Sequence, residues 1–157
     1  MKKLLTLAFI IFTTTLYAQN IKLFNAFTKD DGSTRYVVVL SDNSIWWFAP
    51  GQVWDKSSTE GLPSGYDIKF FQSYLKEGST RYIAVLSDNT IWWFSPGQAW
   101  AKSSVEGLPA GYEIKTFDAF TKEGSTRYVV VLKDNSIWWF APGQAWQKSS
   151  TEGLPVK

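Results

Sequence analysis

Residue types that bind polar ligands return at matching places in three successive stretches of the chain. Each stretch has a Gln two residues before a Trp, an Arg after a Gly-Ser-Thr or Asp-Gly-Ser-Thr loop, and a Glu before Gly-Leu-Pro. A Trp ring offers a large apolar face to the C–H side of a sugar, while Arg, Gln and Glu can bond its hydroxyl groups. The candidate ligand-binding residues are Trp54, Trp100, Trp146, Arg35, Arg81, Arg127, Gln52, Gln98, Gln144, Glu60, Glu106 and Glu152.

The repeated Arg and Trp residues also have structural interpretations. The Arg side chains are expected to form surface ion pairs, with the repeated Glu residues as candidate partners, or to cap a loop; a ligand carboxylate or a sugar is the alternative partner. The Trp that follows Pro-Gly lies beyond the apolar segment, so we expect it at an exposed edge or cleft. The remaining Trp form adjacent pairs that point to opposite faces of a strand and are expected in the core: Trp46-Trp47, Trp92-Trp93 and Trp138-Trp139.

The composition argues against an enzyme. The chain has no His and no Cys, which removes the commonest acid–base group, the commonest zinc ligand and the thiol nucleophile. The repeated Asp-Asn pairs supply too few oxygens for calcium and are expected to form turns. We therefore expect no catalytic residues, no metal site and no cofactor.

Residues 1–18 are typical of a secretory signal. Lys2 and Lys3 precede an apolar run at 4–12, and a cut after Ala18 would begin the mature chain at Gln19. The run is too short to span a bilayer, so we expect a secreted or periplasmic protein with no membrane anchor. Removing the signal leaves 14 basic against 14 acidic residues. This balance gives no support for a nucleic-acid partner.

Three internal repeats fill residues 19–157, which we expect to form a single domain. The repeats cover 21–67, 68–113 and 114–157, and their common core returns every 46 residues. Between residues 68–109 and 114–155, 30 of 42 positions are identical. Whatever fold one repeat adopts, the others should adopt as well.

Each repeat carries signals for four short strands and none for a helix. In the third repeat, 114–120 and 127–132 read as strands, an Asp-Asn turn follows, and 137–140 returns as the other arm of a hairpin. A weaker fourth strand is expected near the sequence AWQKSS. The hairpin arms YVVVL and IWWF are apolar at successive positions, which predicts that both faces of the sheet are covered. Blades of a β-propeller satisfy this condition.

The repeat resembles the hemopexin type. The segments IKTFDAF, RYVVVL, SIWWF and EGLP stand in the order of that family's blade strands and blade-to-blade junction. The resemblance implies an all-β, propeller-like fold with three four-stranded blades and a binding function. Propellers have at least about four blades, so we expect a homodimer in which two chains form a six-bladed ring.

A β-trefoil is the alternative fold. It also contains three four-stranded units, and the Gln-x-Trp segments at 52–54, 98–100 and 144–146 are similar to the signature of ricin-type trefoil lectins. The absence of apolar–polar alternation in the hairpin strands favours the propeller.

Two functions follow from these patterns. The first is a non-enzymatic, multivalent carbohydrate-binding protein, in which several weak aromatic sites act together. The second is a protein–protein interaction or surface-assembly module that uses the same clefts. The expected partner is accordingly a glycan or another protein, together with a second copy of the chain.

Overall fold

The computed structural model describes residues 20–155, which form twelve β-strands and no helix. The signal expected at 1–18 and the end of the third repeat at 156–157 lie outside the described residues. No described segment is a helix that could cross a membrane. The strands are β1 Ile21–Thr28, β2 Thr34–Leu40, β3 Ile45–Phe48, β4 Asp55–Lys56, β5 Ile68–Lys76, β6 Ser79–Leu86, β7 Ile91–Phe94, β8 Ala101–Lys102, β9 Ile114–Lys122, β10 Ser125–Leu132, β11 Ile137–Phe140 and β12 Gln147–Lys148.

The strands form three antiparallel sheets, and each sheet takes all its strands from one repeat. Blade 1 has the order β1-β2-β3-β4, blade 2 has β5-β6-β7-β8, and blade 3 has β9-β10-β11-β12. Strand β5 lies between β1 and β9, so the blades are stacked through their first strands. Successive four-stranded sheets of this kind are the units of a propeller, which confirms the predicted propeller-like, all-β fold. Within residues 20–155 no sheet combines strands from two repeats.

The Asp-Asn turns set the register of each hairpin. Asn43, Asn89 and Asn135 have φ values of 63°, 65° and 63°, in the left-handed region that Asn tolerates. In the third repeat the Asp134 carboxylate accepts hydrogen bonds from the backbone N–H and hydroxyl of Ser136, at 2.9 and 2.6 Å. The expectation that these pairs form turns is confirmed, and the turn brings β10 and β11 into pairing.

Each blade has two chemically different faces. In blade 1 one face carries Val37, Val39 and Ile45, and we call this the aliphatic face. The other face carries a row of aromatic rings, and we call it the aromatic face. Its members in the three blades are Phe24, Tyr36, Phe48 and Trp54; Phe71, Tyr82, Phe94 and Trp100; and Phe117, Tyr128, Phe140 and Trp146.

The core lies between the blades. One cluster joins the aliphatic face of blade 1 to the aromatic face of blade 2, and the other joins blades 2 and 3 in the same way. The prediction of two covered faces therefore holds for blade 2. Blade 1 leaves its aromatic face open and blade 3 its aliphatic face, because residues 20–155 supply no further blade to cover them.

Candidate functional site

Two clefts open at the two junctions between blades. The first cleft, of about 420 Å³, lies between blades 1 and 2, and the second, of about 470 Å³, lies between blades 2 and 3. The first is lined by Phe27, Lys29, Arg35, Val37, Trp47, Ser57, Thr80, Tyr82, Phe94, Pro96 and Gly97. The second is lined by Tyr74, Lys76, Arg81, Trp93, Ser95, Gln98, Lys102, Ser103, Ser104, Thr126, Tyr128, Phe140, Pro142 and Gly143.

The two clefts are built from the same repeat positions. In each, the preceding blade supplies an aromatic ring, a Lys, an Arg, a Trp and a Ser, while the following blade supplies a Thr, a Tyr, a Phe and the Pro-Gly turn. Both therefore combine an aromatic wall with cationic and hydroxyl groups. Neither lining contains a His, an Asp or a Glu.

The Trp of each cleft is positioned by strand pairing. Trp93 on β7 lies opposite Ile83 on β6, so it shares the aliphatic face of blade 2 and reaches the junction with blade 3. Its neighbour Trp92 points to the other face, where its indole N–H donates to the Thr90 hydroxyl at 2.9 Å. Alternation along the strand thus sends one Trp of the pair to the cleft and the other away from it.

The Arg of each cleft forms no salt bridge with a carboxylate of residues 20–155. Arg35 donates a hydrogen bond to the Thr34 carbonyl at 3.3 Å, and Arg81 forms no hydrogen bond or ion pair with any of residues 20–155. The expected ion pairs with the repeated Glu residues are therefore wrong: the guanidinium groups lie at the clefts, whereas Glu60, Glu106 and Glu152 lie on exposed outer loops. A half-buried guanidinium without a salt bridge leaves most of its five N–H donors available to a ligand.

The Tyr side chains at the clefts remain neutral. Burial raises the pKa of Tyr82 to about 12 and raises the pKa values of Tyr74 and Tyr128 as well. The Tyr74 hydroxyl lies 3.2 Å from the Thr126 hydroxyl, so a hydrogen bond joins blade 2 to blade 3 inside the second cleft. These hydroxyls can donate and accept hydrogen bonds over the whole neutral range.

The Trp residues after the Pro-Gly turns differ from expectation. Trp100 and Trp146 are only 3% exposed, so their expected place at an exposed edge or cleft is wrong. The outer loop of the preceding blade folds over each ring and accepts its indole N–H, through the Ser58 carbonyl at 2.9 Å and the Ser104 carbonyl at 3.0 Å. Trp54 is 43% exposed because no preceding blade covers it within residues 20–155.

The remaining candidates are divided between surface and junction. Gln98 lines the second cleft, while Gln52 and Gln144 are exposed on their turns.

Glu60 and Glu106 contribute their backbone carbonyls, which accept the backbone N–H groups of the Trp in the next blade at 2.8 and 2.7 Å. Arg127 and Glu152 belong to blade 3, beyond the second junction. No cluster of three metal-ligating side chains occurs among residues 20–155.

The sequence interpretation missed Trp47 and Trp93 as cleft residues and assigned them to the core. Which Trp of the pair shares a face with the Arg depends on the hairpin register. A two-residue Asp-Asn turn would place the first Trp on that face, whereas the structure pairs Val37 with Trp47 and Ile83 with Trp93, so the second Trp lies there. The first Trp of the pair belongs to the opposite face.

Comparison with known proteins shows similarity at the level of fold. No protein-family model matches the chain, and no curated protein matches its sequence. The structure is similar to that of a fucose lectin from Kordia zhangzhouensis solved with methyl-fucoside, with a TM-score of 0.53 and 11% identity over 82% of this chain and 98% of that one. It is also similar to the BP39L lectin from Burkholderia pseudomallei, with a TM-score of 0.51 and 13% identity over 79% of this chain and 39% of the lectin.

These matches do not confirm the hemopexin-type or ricin-type resemblance. They show that the chain shares its blade-like all-β fold with lectins.

Proposed function

We propose that the chain is a non-enzymatic carbohydrate-binding protein whose binding sites are the two interblade clefts. One observation carries the proposal: each cleft is lined by a half-buried Trp and by an Arg that forms no salt bridge within residues 20–155. An aromatic wall with free hydrogen-bond donors matches a pyranose, which has an apolar C–H face and a rim of hydroxyl groups. The fold shared with two lectins supports the same proposal.

The roles of the cleft residues follow from their chemistry. Trp47 and Trp93 supply the surface on which the sugar ring stacks, and Arg35 and Arg81 each offer a fork of donors to neighbouring oxygen atoms. Hydroxyl groups from both blades, including Thr126 in the second cleft, can donate or accept as the sugar requires. The site therefore binds a sugar without performing chemistry on it.

Repetition of the cleft supplies multivalency. Two sites on one rigid chain hold two sugars of a branched glycan or of a cell surface at a fixed distance. When both sites bind sugars of the same glycan or surface, the overall avidity exceeds the affinity of one site by about 10²–10⁴. The gain comes from linking the sites and requires no change in either of them. Weak individual sites are sufficient for such a protein, in keeping with secretion as the expected route.

A glycan array with the full chain tests the proposal, followed by titration of the preferred glycan. We expect the double variant Trp47→Ala/Trp93→Ala to lose the array signal. The double variant Arg35→Ala/Arg81→Ala should weaken binding at least tenfold, because it removes charge-assisted hydrogen bonds. Methyl-fucoside belongs on the array because the Kordia zhangzhouensis lectin was solved with it.

The matched control is Lys133→Ala. Lys133 is exposed, pairs with Glu113 at 2.6 Å and lines neither cleft. It should leave binding unchanged. Absence of any glycan signal from the folded wild-type chain would reject the proposal and favour a peptide or protein ligand, and so would full binding by both double variants.

A further inference from the structure

The open aromatic face of blade 1 carries residues that are buried in the other two blades. Phe24 is 60% exposed, whereas its counterparts Phe71 and Phe117 are 7% and 8% exposed. Ile21 shows the same contrast at 62%, against 0% for the residues that begin β5 and β9. Blade 1 therefore displays a surface whose repeat-related copies are the inside of a junction.

Blade 3 displays the complementary surface. Its aliphatic face consists of Val129, Val131 and Ile137, all partly exposed, while the corresponding residues of blades 1 and 2 are fully buried against the next blade. Leu154 is 58% exposed, whereas its counterparts Leu62 and Leu108 pack against the junction cores. The two open faces are thus the two halves of a junction that the chain already forms twice.

Hydrogen bonds that join neighbouring blades are also incomplete at the open faces. At the second junction Ile114 N–H donates to the Asn89 side chain at 3.0 Å, and Trp146 donates to Glu106 and Ser104. On the open faces the equivalent groups lack these interblade bonds within residues 20–155. Blade 1 carries the donors and blade 3 carries the acceptors. The unmatched donors belong to Ile21 and Trp54, and the unmatched acceptors are the backbone carbonyls of Ser150 and Glu152. The Asn135 side chain accepts a hydrogen bond from Lys115 at 2.8 Å but none from a backbone N–H of a following blade.

A third cleft is present in two separate halves. Blade 3 carries one half, with the Lys, Arg, Trp and Ser of the repeat, and blade 1 carries the other, with the Thr, Tyr, Phe and Pro-Gly turn. These residues are Lys122, Arg127, Trp139 and Ser149 in blade 3, and Thr34, Tyr36, Phe48, Pro50 and Gly51 in blade 1. Each half lacks the residues with which the neighbouring blade completes the two internal clefts.

We propose that two copies of this chain associate head to tail. Blade 3 of each copy covers blade 1 of the other, so the pair has two new junctions. Propellers have about four to eight blades, and six is the only multiple of three in that range. Two copies therefore close the ring. Each new junction unites two half-clefts, so the closed ring has three clefts per chain where the single chain has two.

Sedimentation of the full chain over a dilution series tests this association without any ligand. The expected mass is about twice the 17.8 kDa of one chain. Phe24→Asp on blade 1 and Leu154→Asp on blade 3 should each raise the dissociation constant by about thirtyfold or more, because each places a charge in a junction core. Both positions are exposed in the single chain, so we expect both variants to fold. Ile21→Lys is a second variant of the blade 1 face.

A mixture of the two monomeric variants gives the sharpest result. Each keeps one intact face, so Phe24→Asp and Leu154→Asp together should form a heterodimer through a single unaltered junction. The control Ala110→Asp changes an exposed loop residue outside both open faces and should remain a dimer. A wild-type mass of one chain throughout the series would overturn the proposal. Retention of the dimer by Leu154→Asp would also overturn it, since the aromatic faces would then pack against each other.

Discussion

The indole N–H of Trp146 donates a 3.0 Å hydrogen bond to the backbone carbonyl of Ser104 in the preceding repeat. The backbone N–H of the same Trp donates to the Glu106 carbonyl at 2.7 Å, so a single residue fixes the outer loop of blade 2 over blade 3. The Trp146 ring is the last of the aromatic row, and its centroid lies 5.3 Å from the centroid of the Phe140 ring. The Trp of the Gln-x-Trp segment therefore joins neighbouring blades by packing and hydrogen bonds at both junctions.

The outer loop requires glycine where it meets this Trp. A Cβ on Gly107 would overlap the Trp146 carbonyl oxygen, whereas a Cβ on Gly153 would meet nothing within 4 Å. Both glycines have positive φ, 95° and 85°, so an Ala at either position carries a backbone penalty of about 1–2 kcal/mol. We expect Gly107→Ala to lower the free energy of unfolding by about 1–3 kcal/mol more, the usual cost of inserting a methyl group into a well-packed core.

Urea unfolding of the dilute, monomeric protein measures this difference. Gly153→Ala is the matched control, because it has the same change and a similar φ without the close contact. Equal losses of unfolding free energy in the two variants would show that the contact with Trp146 does not constrain the loop. In a head-to-tail ring, Gly153→Ala would additionally weaken association.

The Asn of each hairpin turn should stabilise the start of the next blade. Asn89 accepts a hydrogen bond from the N–H of Ile114, a residue that is 0% exposed, while Asn135 has the same turn geometry without an Ile partner in residues 20–155. Asn89→Ala leaves that N–H unpaired, which costs about 1–3 kcal/mol beyond the backbone strain. Asn135→Ala should show the strain and the loss of the Lys115 bond at 2.8 Å, which Asn89→Ala matches by losing the Lys69 bond at 3.3 Å, without the unpaired N–H of a buried residue. Thermal unfolding of the dilute, monomeric protein compares the two, and a smaller effect at position 89 would contradict the assignment.

Burial of the Tyr side chains predicts a loss of stability in alkali. Desolvation raises the pKa of Tyr82 from 10.0 to about 12 in the folded chain. Above pH 10 the unfolded state releases this proton while the folded state retains it, so the free energy of unfolding falls as pH rises from about 10 to 12. Each pH unit in that window corresponds to about 1.4 kcal/mol at most for this group.

Tyr82→Phe removes this contribution and should flatten part of the decline between pH 10 and 12. Tyr66→Phe is the comparison, because Tyr66 is a partly exposed Tyr of the first junction that lines neither cleft. Denaturant unfolding at pH 9 and 11 gives the two free energies. An unchanged decline in Tyr82→Phe would mean that this hydroxyl already ionises in the folded state at its ordinary pKa.

The sequence was sufficient to predict the blades but not their junctions. The strand order, the Asp-Asn turns and the short fourth strand follow from local patterns, and each is present in the structure. The contact between Trp100 and the outer loop of blade 1 joins residues 42 positions apart. Its register depends on how one blade stacks on the next, and no local pattern specifies that stacking.

Part of the candidate set lies at the clefts. Arg35 and Arg81 line them, whereas Arg127 lines neither of the two, and a binding role for any of these residues stays a prediction. The assignment was wrong for Trp100 and Trp146, because exposure was inferred from position in the chain. Trp47 and Trp93 pack against the junction cores as expected, and they also line the clefts. A polar loop can fold over a Trp that leaves the sheet, and a Trp within the sheet can lie at the rim of a junction. Trp100 and Trp93 are examples of these two cases.

Comparison of Arg81 with Arg127 tests the clefts and the ring together. Arg81 lies in a cleft that is complete within one chain, whereas Arg127 occupies the same repeat position in a half-cleft on blade 3. We expect Arg81→Ala to reduce the number of glycan sites by one per chain at every protein concentration. Arg127→Ala should reduce it only at concentrations where the ring forms, because blade 1 of a second copy supplies the other half of that cleft.

Calorimetric titration with the glycan preferred on the array gives the stoichiometry directly. The wild-type ring should bind three glycans per chain, and the monomeric Phe24→Asp variant should bind two. If Arg127→Ala lowers the stoichiometry of dilute monomers, the half-cleft binds sugar unaided and the ring adds no site. If it has no effect in the assembled ring while Arg81→Ala does, the new junction is not equivalent to the internal ones. Loss of a site in the ring alone would tie the third cleft to the second copy of the chain.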